Sequence, residues 1–137
     1  MDLADVCVFI NIFSKEKVEL FRNKFLRGFV SMDSYYESPK YGPEIVFETE
    51  DFNKMWEYIL EKEGRQYSFY FENASNLDYP QAIIQINSDG SLCLAIGVIL
   101  QKEELYFKIL KQIFNEDDCF ISYSIPLPTS KTSRLNN

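Results

Sequence analysis

The chain contains no histidine. That excludes Ser-His-Asp and Cys-His nucleophile activation, histidine general bases and nearly all zinc and non-haem iron sites. Glycine is sparse, and the five glycines stand singly. There is accordingly no Walker loop, dinucleotide-binding glycine fingerprint or nucleophile elbow, and no Cys-x-x-Cys pair. No apolar run approaches the roughly 18 residues of a membrane span. The opening residues, Met1-Asp2-Leu3-Ala4-Asp5, are acidic and lack the basic start of a signal peptide. Cys7, Cys93 and Cys119 lie far apart in apolar surroundings, the usage of buried thiols in a reducing compartment rather than of disulfides or metal ligands. The expectation is a cytoplasmic protein with no metal, no cofactor and no membrane contact.

What is present is apolar and acidic. Nearly half the residues are hydrophobic and the aromatics are plentiful, enough for a proper core within 137 residues. We read residues 1–128 as one globular domain and 129–137, which lack apolar anchors, as a flexible tail. The net charge of −7 is uneven: between Val30 and Gln101 there are twelve acids against four bases. Such a field repels nucleic acid and attracts basic protein surfaces.

The sharpest local pattern runs from Gln81 to Leu100. A three-residue loop, Ser88-Asp89-Gly90, pairs Ile86 with Leu92, Ile84 with Leu94 and Ala82 with Ile96, which keeps one face apolar; a two-residue loop would mix the faces. Gly90 is then expected in the left-handed conformation as a G1 bulge. The opposite face carries Gln85, Asn87, Cys93, Ala95 and Gly97, so it is thinly covered or open to a partner.

The other elements follow from periodicity. Asp5 to Phe13 is almost continuously apolar, as in a strand buried on both faces. Ser14 suits the N-cap of a helix with Val18, Phe21, Phe25 and Phe29 inward, Lys15, Lys17, Arg22, Lys24 and Arg27 outward, and Gly28 as its stop. Ser31 to Pro43 reads as irregular, and Glu44 to Glu48 as a short strand. Phe52, Met55, Trp56, Ile59 and Leu60 mark a second helix ended by Gly64. Gln66 to Glu72 alternates with Tyr67, Phe69 and Phe71 inward. A last helix turns Tyr106, Ile109, Leu110, Ile113 and Phe114 inward, and Cys119 to Ile125 is a final strand. The fold class is therefore α+β in the order β-α-β-α-β-β-β-α-β: a single mixed sheet with its helices mainly on one face and some parallel pairing across the β-α-β crossovers.

Catalysis is left with carboxylates, tyrosines and lysines. Glu48, Glu50 and Asp51 stand at a strand-to-helix junction where a metal or a carboxylate pair is conceivable, but helix capping explains them better. Glu116-Asp117-Asp118 lacks the alternating ligands of a calcium loop and reads as a solvated turn. The basic face of the first helix reads as solvated surface. The Ser31–Pro43 stretch places three tyrosines among acids, which suits either a recognition surface or rings folded back over the core edge.

The layout, the Ile86-Asn87-Ser88-Asp89-Gly90-Ser91-Leu92 hairpin and the acidic tyrosine segment together resemble small bacterial immunity proteins, which partner the toxin domains of contact-dependent inhibition and other polymorphic toxin systems. The resemblance implies a protein that is not an enzyme and that neutralises a cognate protein toxin, often a basic nuclease. Asp33, Tyr35, Tyr36, Glu37, Tyr41, Glu44 and Glu48 would form the contact surface, with Gln85 and Asn87 in reserve. The alternative is an adaptor or homo-oligomeric regulatory protein using the open hairpin face; a carboxylate or metal-dependent enzyme comes third.

Overall fold

The computed structural model describes residues 2–39, 44–61, 65–123 and 125–135. Its elements, in chain order, are β1 (Leu3–Ile10), α1 (Lys15–Phe25), β2 (Val30–Ser31), β3 (Tyr36–Ser38), β4 (Phe47–Thr49), α2 (Phe52–Glu61), β5 (Tyr67–Glu72), β6 (Gln81–Ile86), β7 (Leu92–Ile99), α3 (Glu103–Ile113), β8 (Asp118–Ser122) and α4 (Lys131–Leu135). The α+β class holds. Six strands form the main sheet in the order β2-β5-β6-β7-β1-β8, and β3-β4 form a separate two-stranded ribbon.

The expected parallel pairing is absent: every strand pair among the described residues is antiparallel. The crossovers themselves are present. β1 and β2, joined through α1, run in the same direction, as do β7 and β8, joined through α3. In each case other strands lie between the two: β7, β6 and β5 in the first, and β1 in the second. A helix returns the chain to its starting direction, but it does not decide which strand becomes the neighbour.

The hairpin takes the expected register, with Ile86 opposite Leu92, Ile84 opposite Leu94 and Ala82 opposite Ile96. The Gly90 amide donates to the Asn87 carbonyl at 3.1 Å, and Gly90 has φ +84°. That conformation is open to glycine without Cβ strain. β1 is interior, paired with β7 on one side and β8 on the other.

One sheet face packs on the three longer helices. Val6, Val8 and Ile10 of β1, Leu92, Leu94, Ile96 and Val98 of β7, Ala82, Ile84 and Ile86 of β6, and Tyr67, Phe69 and Phe71 of β5 share a core with Val18, Phe21 and Phe25, with Met55, Trp56, Ile59 and Leu60, and with Leu110 and Phe114. Ser14 caps α1, its Oγ accepting from the Lys17 amide at 3.2 Å, and Gly28 (φ +79°) turns the chain away after α1. Ile109, expected inward, stays part-exposed at the rim of α3. Gly64, expected to end α2, lies outside the described residues.

The opposite face is not bare. Cys7, Phe9, Cys93 and Ala95 form a second, smaller buried cluster against Ile83, Phe120 and Leu127. The segment read from sequence as a polar tail carries α4 and is tied to the sheet. The Lys131 amide donates to Asp89 Oδ2 at 2.7 Å, and Arg134 makes a paired contact with Asp118 while its guanidinium lies 4.0 Å from the Phe120 ring centroid.

Candidate functional site

The acidic, tyrosine-bearing stretch does not form a loose loop. Tyr36–Ser38 pairs with Phe47–Thr49, setting Tyr36 opposite Thr49, Glu37 opposite Glu48 and Ser38 opposite Phe47. Alternate residues of a strand point to opposite faces, and here the inner set anchors the ribbon. Phe47 stacks on Tyr58 of α2 with centroids 4.2 Å apart and planes 7° apart. Tyr36 meets Phe52 edge-on at 6.1 Å. The outer set is charged: Glu48 is exposed and Glu37 half-buried.

Tyr36 therefore leaves the candidate contact surface. It is 2% exposed, and its hydroxyl donates to the Asp33 carbonyl at 2.9 Å and lies 2.5 Å from Ser31 Oγ. The amphipathic ring lies inside with its polar end satisfied, as a buried tyrosine requires. Tyr35, one residue earlier, is exposed. Its hydroxyl donates to Glu48 Oε2 and lies 3.4 Å from Glu37 Oε2. Those contacts, the one to Glu48 above all, push its phenol up to about 12.

The remaining sequence candidates fall as follows. Asp33 is half-buried at the foot of the ribbon, where its carbonyl serves Tyr36. Glu44 is exposed at the ribbon's far end. Tyr41 lies outside the described residues. Beside Glu44 the ribbon also presents two apolar side chains that sequence reasoning assigned to a strand, Ile45 (48% exposed) and Val46 (67% exposed). The available signal was the apolar run Ile45-Val46-Phe47 between Glu44 and Glu48, of which only Phe47 lies within β4. Asp51 is a capping residue, its Oδ1 accepting from the Asn53 and Lys54 amides at 2.8 and 3.3 Å.

The reserve residues are internal ties. Asn87 is buried, and its Nδ2 donates to Ser91 Oγ at 2.9 Å and to the Pro128 carbonyl at 3.3 Å. Gln85 Nε2 donates to Asn87 Oδ1 and to the same Pro128 carbonyl, both at 2.9 Å. Together they pin residues 127–128 over the hairpin face that the sequence left open.

The other charge clusters are also spoken for. Lys17 Nζ lies 2.9 Å from Asp117 Oδ1, and Asp118 is held by Arg134. Arg22, expected on a solvated basic face, instead lies 4.6 Å from the Trp56 ring centroid and 5.1 Å from that of Phe52; burial lowers its pKa. Among the described residues no three His, Cys, Asp or Glu side chains are grouped so as to hold a metal ion, and no helix is long and apolar enough to cross a membrane. Comparison with family models, curated proteins and solved structures finds no match to this chain.

Proposed function

We propose that the protein is an immunity-type inhibitor that binds a cognate protein toxin through the β3-β4 ribbon. One observation carries this reading: Glu37 and Glu48 face each other across the ribbon under the exposed Tyr35, with Ile45 and Val46 uncovered alongside. Like charges directly opposite in a ribbon destabilise it, and a basic partner offsets that repulsion. Exposed aromatic and apolar groups rimmed by charge are the anatomy of a protein interface. Ser38 and Arg65 line one cleft beside this ribbon, and Ser38 Oγ and Arg65 Nε are buried without a hydrogen-bond partner among the described residues. Acidic side chains would take the place of substrate phosphate in a basic nuclease and speed association by steering.

The test is co-expression with the C-terminal domain of the protein encoded by the adjacent upstream gene. The wild-type chain is expected to protect cells and co-purify with that domain. Tyr35→Ala combined with Glu37→Lys should abolish both while leaving the melting temperature within about 3 °C of wild type. Loss of stability in step with loss of binding would make these residues structural. A stable homodimer in sedimentation, with no complex formed, would favour the adaptor or regulatory reading.

A further inference from the structure

On the sheet face away from the helices, Asp5 of β1, Gly97 of β7 and Gln81 of β6 lie in a row, because Asp5 pairs with Gly97 and Gly97 with Gln81. Gly97 at the centre of that row is buried and closely approached from the side by Leu3. A Cβ built on Gly97 would stand 3.1 Å from Leu3 Cδ1 and 3.7 Å from Gln81 Cβ. The row borders a groove of about 280 Å³, walled by Met32, Tyr70, Ile83 and Leu127, in which Asp5 is the one carboxylate among the described residues.

Asp5 is the anomaly. Its carboxylate stands on an interior strand, among apolar walls, and its side chain enters no hydrogen bond or ion pair among the described residues. Arg134, which lies over Phe120 on this face, commits its guanidinium to Asp118. Desolvation alone raises the Asp5 pKa, with no compensating charge. A half-buried charge without a counter-ion is unfavourable, and a cation from outside relieves it.

We infer that this groove receives a lysine or arginine side chain of a protein partner, the aliphatic stem lying along Ile83 and Leu127 and the charged head meeting Asp5. The shape is that of a long basic side chain, which buries its methylenes on apolar surface and keeps its charge at the end. Met32 and Tyr70, both about half exposed, form the rim on which the partner's backbone rests. This inference stands on the Asp5 groove alone and does not depend on the β3-β4 ribbon binding a toxin.

The experiment is an amide-shift titration by NMR with N-acetyl-lysine methylamide, N-acetyl-norleucine methylamide and cadaverine. The capped lysine is expected to shift the Gly97, Ala95 and Ile83 amides saturably, while the capped norleucine does not. Asp5→Asn should weaken the lysine response at least about tenfold without lowering the melting temperature, since it removes an uncompensated charge. Gln81→Lys, at an exposed position, supplies an internal competitor and should abolish the response in a fully folded protein. Three results would overturn the inference: equal shifts from norleucine, a lysine response that survives both substitutions, or tighter binding of cadaverine, which would mark a small-amine site.

Discussion

The Tyr35 hydroxyl bridges Glu48 and Glu37, two carboxylates set directly opposite each other in the β3-β4 ribbon. Glu48→Gln or Glu37→Gln should leave the melting temperature unchanged or raise it by up to about 3 °C at low salt. The gain should vanish near 1 M salt, where the Debye length falls to about 3 Å. The Tyr35 phenol, now near 12, should fall toward its ordinary 10 in Glu48→Gln, read as phenolate absorbance against a Tyr35→Phe control. A melting temperature that drops in both variants would show that the bridge outweighs the repulsion.

Tyr36 should behave as a core residue, opposite in kind to its neighbour. Tyr36→Phe keeps the ring against Phe52 and loses the bonds to Ser31 and Asp33, at about 1 kcal/mol. Tyr36→Ala should cost about 3–5 kcal/mol by opening a cavity. Urea unfolding measures both, and a Tyr36→Ala protein as stable as wild type would place the ring outside the core.

Arg22 belongs to the aromatic cluster in energy as well as geometry. Arg22→Ala should destabilise by about 1–2 kcal/mol, through lost contact with Trp56 and Phe52 and through stem packing. Arg22→Lys should recover only part, because a compact ammonium lacks the planar stacking surface. Trp56 fluorescence should change in both variants. Identical stabilities for Arg22→Ala and wild type would make the stacking incidental.

Two pH limits follow from the carboxylates and phenols that fasten the edges. Asp89 accepts from Ser91 Oγ, at 2.5 Å, and from the Lys131 amide, and these bonds, that from Ser91 first, lower its pKa from 3.8 to about 2. A depressed pKa gives stability that is present above pH 3.8 and lost as pH falls through 2. Tyr106 donates to Asp78 Oδ2 at 2.6 Å; burial first and that bond second raise its pKa from 10.0 to about 12. This contribution is present below pH 10 and lost as pH climbs through 12. Asp89→Ala should speed hydrogen exchange of the Ser91 and Lys131 amides and remove the acid limb, while Tyr106→Phe should flatten the alkaline limb. Unchanged profiles in those variants would assign the limits to other groups.

The sequence determined what repeats over a few residues. The hairpin register followed from the need to keep Ile84, Ile86, Leu92 and Leu94 on one face, and Gly90 from the turn that register demands. The buried stripes of α1 and α2, the Ser14 cap and the inward aromatics of β5 were equally local. Tertiary structure decided where those pieces went. Pairing across many residues leaves no periodic trace, so the antiparallel sheet order, the pairing of Tyr36–Ser38 with Phe47–Thr49 and the return of residues 127–135 over the second face were not visible in the chain. The same reason governs the candidate sites. A tyrosine between acids reads alike whether its ring is inside, as Tyr36, or outside, as Tyr35, and Asp5 acquires its meaning only because Gly97 and Gln81 are brought beside it.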